Sequence, residues 1–343
     1  MTETVCAYLL GGEPYTRQEL AKRLGKKGTS SDICLYNYSK EFTLQIVDPI
    51  RYPDKPLTLF ETIFMADVPI VIIPPEGPDI HTGEFLLLLS ALGYKNGIFV
   101  IVSENQYVDI VNVEKKVHKI TKGLIVDQYP FLHVDLAKGE TIQELRSLIK
   151  EKAIQIPDYK WADETHSRVD VDHVFPVTGI GTVILGRVRS GEIEKGDQIH
   201  VFPSNRTSVI RSIQINDVDV KKAINGDRVG LALRGLLPKD VERGYVLSKN
   251  VSWNISKDIE VSLELTPYSK LPEVGKTRHI ISGLQAISSK VKRCEKESND
   301  SENVYELTLE LEKPIVYFHT EPGILVDLNS RPKIIGKCSF KIK

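Results

Sequence analysis

The 343-residue chain is longer than one compact core usually holds, which sets an expectation of two or three domains. With 41% hydrophobic and 27% charged residues, a net charge of −1 and only 23 Gly and 18 Pro, its composition excludes a disordered or fibrous chain and a strongly basic nucleic-acid binder. The apolar runs at 68–73, 85–89 and 98–102 are far shorter than the roughly 20 residues that span a bilayer.

In chain order, the first half alternates β-rich runs with segments whose apolar residues recur at spacings of three and four. Strands are predicted at Val5–Leu10, Ile33–Tyr38, Phe42–Val47, Pro69–Ile73, Ile98–Val102 and Phe131–Val134. Helices are predicted at Gln18–Leu24, Leu57–Met65, Gly83–Leu92, Val108–His118 and Thr141–Lys152. This order implies a mostly parallel sheet covered by helices on its faces. The pattern stops around Ile156-Pro157-Asp158, and from Val169 onward only short β-rich segments between Gly, Asn and Asp turns remain, as in small barrels or sandwiches. Trp253 and Asn254 mark a second boundary, so the expected domains are 1–157, 168–250 and 254–343. Trp161 is a candidate anchor for the linker.

Other features point to no special chemistry. Cys6, Cys34, Cys294 and Cys338 are scattered without a CxxC pair or clustered histidines, so neither a metal site nor a disulfide framework is expected. The first residues carry no basic, then apolar leader, which makes the cytoplasm the default compartment, with no membrane contact. His81 and His133 read as hydrogen-bonded structural histidines, and Lys115, Lys116, His118 and Lys119 as the outer face of a helix. Residues 1–164 hold 18 Lys and Arg against 23 Asp and Glu, whereas residues 165–343 hold 27 against 23, an asymmetry weak enough to leave room only for a local basic patch.

The string Asp172-His173-Val174-Phe175-Pro176-Val177-Thr178-Gly179-Ile180-Gly181-Thr182-Val183-Ile184-Leu185-Gly186-Arg187-Val188 resembles the second domain of translational GTPases related to elongation factor Tu. Lys195-Gly196-Asp197, Asn225-Gly226-Asp227-Arg228-Val229-Gly230-Leu231 and Glu242-Arg243-Gly244-Tyr245-Val246-Leu247 follow in the same order as that barrel's turns and strands. In the first half, Leu24-Gly25-Lys26-Lys27-Gly28-Thr29-Ser30-Ser31-Asp32-Ile33 is similar to the selenocysteine-specific branch, and Arg331-Pro332-Lys333-Ile334-Ile335-Gly336-Lys337-Cys338 to the last strand of the family's third domain. The resemblance implies an α/β domain shaped like a GTPase core followed by two small antiparallel β-barrels.

Yet the nucleotide motifs that the resemblance implies are altered. A phosphate loop needs Gly-x4-Gly-Lys-Ser/Thr, since glycines let backbone N–H groups wrap the phosphates, Lys neutralises them and the hydroxyl holds Mg²⁺. The matching window runs from Gly11 to Gln18 and keeps only Gly11, with Thr16 at the second glycine, Arg17 at the lysine and Gln18 at the hydroxyl. Thr16-Arg17-Gln18-Glu19 fits a capping box, which would satisfy the helix N-terminus with the protein's own carboxylate. The Asp-x-x-Gly-His motif reads Asp48-Pro49-Ile50-Arg51-Tyr52, so the glycine whose amide meets the γ-phosphate and the water-positioning His are both replaced. The guanine-reading motif reads Val102-Ser103-Glu104-Asn105, without Lys or a final carboxylate, and the later Ser-Ala-Lys loop is Asp135-Leu136-Ala137. Four altered motifs imply a pseudo-GTPase without a nucleotide cofactor.

In the selenocysteine-specific branch, an Asp-His pair and an Arg line the aminoacyl pocket, and these match Asp172, His173 and Arg228. From the residues alone, Arg228 either pairs with a neighbouring Asp as a barrel-closing ion pair or helps form a surviving anion pocket. Three functions stay open: a nucleotide-independent binder of tRNA, ribosomal RNA or a translation protein, with Arg187, Arg189, Arg206, Arg211 and Arg228 on one face; a self-associating scaffold that forms homo-oligomers through barrel edges; and an atypical GTPase. Members of that branch carry a further domain, so delivery of selenocysteyl-tRNA by the usual cycle is not expected.

Overall fold

The computed structural model describes residues 4–104, 107–156, 166–297 and 303–341. They form two compact units, one within residues 1–158 with short segments at 266–268 and 330–334, the other holding most of the two barrels. Trp161 and the predicted boundary at Pro157 lie outside the described residues.

The first unit is built on a seven-stranded sheet. Its elements in chain order are β1 (Thr4–Gly11), α1 (Pro14–Leu24), β2 (Lys26–Ser30), β3 (Cys34–Ser39), β4 (Thr43–Asp48), α2 (Pro56–Thr62), β5 (Val68–Ile73), α3 (Ile80–Ala91), β6 (Ile98–Ser103), α4 (Ile110–Thr121), β7 (Phe131–Asp135) and α5 (Gly139–Ile154). The sheet order is β2-β3-β4-β1-β5-β6-β7, parallel from β4 to β7, with β3 and β2 antiparallel at one edge. Strands β1, β4, β5 and β6 are buried almost end to end, as expected of parallel strands covered on both faces. On one face, Leu20 and Leu24 of α1 and Ile142, Leu145 and Ile149 of α5 share a core with Ala7, Leu9, Ile46, Ile70 and Val100. The leucines of α3 stand outside that cluster, although α3 packs on β1 and β5, so the helix covers the opposite face.

Each predicted strand and helix of this half corresponds to an element of the structure, and one strand was not predicted. The polar run Lys26–Ser30 forms β2, paired antiparallel with β3. Helices α1 and α3 start about a full turn earlier than predicted. In α3 the Asp79 carboxylate accepts from the Thr82 amide at 2.7 Å and the Thr82 hydroxyl accepts from the Asp79 amide at 3.3 Å, a capping box that moves the start to Ile80. In α1 the start is Pro14, where a missing N–H costs nothing in the first turn.

The second unit contains two closed barrels. The first comprises β8 (Arg168–Val177), β9 (Gly181–Ser190), β10 (Glu192–Glu194), β11 (Gln198–Phe202), β12 (Arg206–Ile215), β13 (Val218–Val220), β14 (Lys222–Ile224), β15 (Arg228–Arg234) and β16 (Val246–Ser248). Six of these close a ring in the order β11-β16-β8-β9-β15-β12, and Val169, Val171, Ile184, Val229 and Leu231 fill its inside. The second comprises β17 (Asn254–Leu265), β18 (Thr277–Ser282), β19 (Gln285–Lys296), β20 (Val304–Tyr317), β21 (Pro322–Val326) and β22 (Ile334–Phe340), closed in the order β17-β20-β19-β18-β21-β22. No described helix is long and apolar enough to cross a membrane, and no described group of His, Cys, Asp and Glu is arranged to hold a metal.

Candidate functional site

The residues matching the phosphate loop run from the end of β1 through the turn into the first turns of α1, where nucleotides bind in open parallel sheets. Gly11 and Gly12 make the turn at φ of 77° and 64°, conformations that side-chain-bearing residues rarely adopt. A Cβ on Gly11 would also stand 2.4 Å from the Ile72 carbonyl oxygen.

The expected capping box at Thr16 and Glu19 is not what the structure contains. Because α1 begins at Pro14, its N-cap is Glu13, which makes no side-chain capping bond, and Thr16 lies inside the helix. The cleft is occupied by Arg17 instead. Its side chain is 1% exposed, and its Nε donates to Asp48 Oδ1 at 2.6 Å. Nη1 donates to the carbonyl oxygens of Gly11 at 3.3 Å and Gly12 at 3.4 Å, while Nη2 donates to those of Pro49 and Tyr52, both at 3.3 Å. A guanidinium has five N–H donors. Here five acceptors, three from the segment Asp48–Tyr52 and two from the turn at the end of β1, meet them.

The electrostatics follow from burial. Desolvation raises the Asp48 carboxyl above its ordinary value, with the Arg17 charge and hydrogen bond pulling the other way. The Tyr52 hydroxyl lies 2.8 Å from His81 Nδ1, and burial, aided by the negative charges of Glu84 and Asp79, raises its phenol so that it stays protonated. Gln18 is half-buried in α1, and Arg51 is exposed, its amide donating to the Asp32 carbonyl at 3.3 Å. In the base-reading segment Ser103 ends β6, is buried, and its hydroxyl lies 2.8 Å from His133 Nε2, while Glu104 is exposed. His81 and His133 are thus hydrogen-bonded. Asn105 lies outside the described residues.

The second group is brought together in the first barrel. A register irregularity between Val171 and His173 in β8 re-aims Asp172. Arg228, opening β15, forms a two-pronged pair with it, Nε to Oδ2 and Nη2 to Oδ1, each at 3.0 Å. His173 Nδ1 lies 2.7 Å from the same Asp172 Oδ1. Burial alone would raise this carboxyl, but Arg228 and then His173 outweigh it and hold it below its ordinary value. Of the two readings of Arg228, the ion pair is present.

The five barrel arginines do not form one free basic face. Arg228 is committed to Asp172, Arg206 approaches Asp240 at 3.9 Å and Arg189 approaches Asp170 at 4.0 Å. Arg187 is buried and donates to the Gly226 carbonyl at 3.4 Å, whereas Arg206 and Arg211 are exposed, Arg211 with a 3.4 Å bond to the Ile180 carbonyl.

Comparison with known proteins places these observations. Residues 181–248 match the model of elongation factor Tu domain 2. An uncharacterized protein of Methanocaldococcus jannaschii is 34% identical over 322 residues, covering 92% of this chain and 94% of that protein. The selenocysteine-specific elongation factor of the same organism is 28% identical over 285 residues, covering 79% of this chain but 59% of its own length. Among solved structures, translation elongation factor SelB from Methanococcus maripaludis, in complex with the GTP analogue GppNHp, superposes with a TM-score of 0.85 at 21% identity, covering 99% of this chain and 79% of that one. A bacterial selenocysteine-specific elongation factor gives 0.84 at 22% identity, covering 99% of this chain and 58% of that one. The chain belongs to the translational GTPase family related to elongation factor Tu, near its selenocysteine-specific branch.

Proposed function

We propose that this member of the family has lost GTP binding and hydrolysis and acts in the cytoplasm as a nucleotide-independent binding protein for tRNA, ribosomal RNA or a translation partner. The observation that carries the reading is the position of Arg17. A phosphate cradle presents backbone N–H groups to an anion, whereas here the Gly11 and Gly12 carbonyls point at a buried cation. Its donors are matched by protein acceptors, so a phosphate entering the cleft would have to break an Arg17–Asp48 pair that is 1% and 0% exposed. Hydroxyl and glycine positions needed for Mg²⁺ and the γ-phosphate are held by Gln18 and Arg51. These residues do not fit a magnesium-bound triphosphate.

The binding role is tested by measuring affinity for unfractionated tRNA and ribosomal RNA at two salt concentrations, with and without GTP. Salt-sensitive binding that GTP leaves unchanged is expected. Binding that requires GTP would contradict the reading, and RNA silence would turn it toward the protein partner. Self-association through barrel edges is the alternative reading of the same fold, and a concentration-dependent mass in sedimentation would favour it.

A further inference from the structure

We propose that the corner where α1 runs into β2, flanked by α5, is a surface that binds the phosphodiester backbone of RNA. Arg146 of α5 reaches across to this corner. Its Nε donates to the Leu24 carbonyl at 3.2 Å, its Nη2 to the Arg23 carbonyl, and its guanidinium lies 4.3 Å from the centre of the Tyr38 ring. One turn further on, the Lys150 ammonium sits 5.3 Å from the centre of the Phe42 ring, and Tyr38 and Phe42 meet edge to face. Both cations are therefore held by aromatic faces and neutral oxygens rather than by carboxylates. Immediately beyond the carbonyls that Arg146 binds come exposed Lys26 and Lys27 on β2, the edge strand of the sheet, where Lys27 stands opposite Tyr36 and Lys26 opposite Asn37. Exposed Arg23 completes the group at the C-terminal end of α1.

Several cations elsewhere in the chain are neutralised by a carboxylate. Lys22 pairs with Glu19, Lys222 with Glu192, Lys292 with Glu310, Arg293 with Glu306 and Arg278 with Asp327, each on the surface or partly exposed. Arg23, Lys26, Lys27, Arg146 and Lys150 have no carboxylate partner among the described residues, although residues 1–164 as a whole carry more acidic than basic side chains. An unneutralised basic corner on an otherwise acidic half attracts a polyanion, and arginine or lysine laid over aromatic rings beside exposed lysines suits nucleic-acid backbone better than an isolated anion. This proposal rests on the RNA reading above and says where the RNA lies.

The test is tRNA binding by the triple variant Arg23→Gln, Lys26→Gln, Lys27→Gln, with Lys115→Gln, Lys119→Gln on α4 as the control, across a salt titration. The first variant should bind about tenfold or more weakly and lose about 2–3 from the salt slope, with unchanged thermal melting, while the control matches the parent. Parent binding with an unaltered triple variant would overturn the location and leave the RNA reading standing. No binding by the parent itself would overturn both. Displacement of nothing but polyglutamate from this surface would assign it to an acidic protein, again against the proposal.

Discussion

At the scale of single residues, the account turns on Arg17. Deleting its side chain leaves Asp48 buried without its counter-charge, and breaking such a pair from one side costs about 3–5 kcal/mol. Arg17→Ala is therefore expected to lose about that much in urea denaturation, and a loss below about 1 kcal/mol would show that the pair does not organise the cleft. Replacing both partners with apolar residues, Arg17→Met with Asp48→Leu, should cost less than the single change, since no charge is left behind. Asp172 gives a pH prediction. Its folded-state value lies below the ordinary one, so the ion pair's contribution is complete above the unfolded value of about 3.9 and is lost as pH falls through the folded value. Arg228→Gln removes the guanidinium that offsets burial, so its deficit relative to the parent should be largest near neutral pH and shrink as pH falls through the parent's folded Asp172 value. Superimposable denaturation-versus-pH curves for the two proteins would contradict this. The altered motif positions were readable as residues, because each phosphate-loop role needs a definite side chain. That Arg17 fills the cleft was not, because its partner Asp48 is 31 residues away and a local Thr-x-x-Glu pattern offered a competing explanation.

At the scale of elements, the β1–α1 turn is the place where backbone and function meet. Gly11 combines a positive φ with contact against the Ile72 carbonyl. Gly11→Ala is therefore expected to destabilise the protein by about 2 kcal/mol or more, beyond the roughly 1 kcal/mol of Gly93→Ala, where φ is 72° but nothing lies within 4 Å. Equal losses in thermal denaturation would deny the turn its steric role. The buried parallel strands were legible because their apolar runs leave little choice. Strand β2 was not, because Lys26, Lys27, Gly28, Thr29 and Ser30 carry no alternation of apolar residues, and pairing with β3 at a sheet edge is a tertiary decision. Similarly, the start of α1 is set by Pro14 and that of α3 by the Asp79–Thr82 box, details that apolar periodicity does not report. The irregularity in β8 that aims Asp172 is equally invisible to pattern, although the residues it unites were named from the resemblance.

At the scale of the whole molecule, the change from helical to β-only periodicity near residue 157 left barrels and sandwiches both open, and both barrels close as the resemblance implied. The family relationship supplies the expectation of a nucleotide switch, and the residues of this chain argue against it. Without a γ-phosphate to order a segment, no ligand-driven rearrangement should follow the addition of GTP. Small-angle scattering curves with and without GTP and Mg²⁺ are expected to superimpose, and a nucleotide-dependent change in radius of gyration would refute this. The central claim is tested most directly by calorimetric titration of the purified protein with GTP, GDP and ATP, each with and without Mg²⁺. The Arg17-filled cleft predicts no binding heat from any of them, whereas saturable micromolar binding of a guanine nucleotide would show that the cleft opens to phosphate and would restore an elongation-factor-like switch.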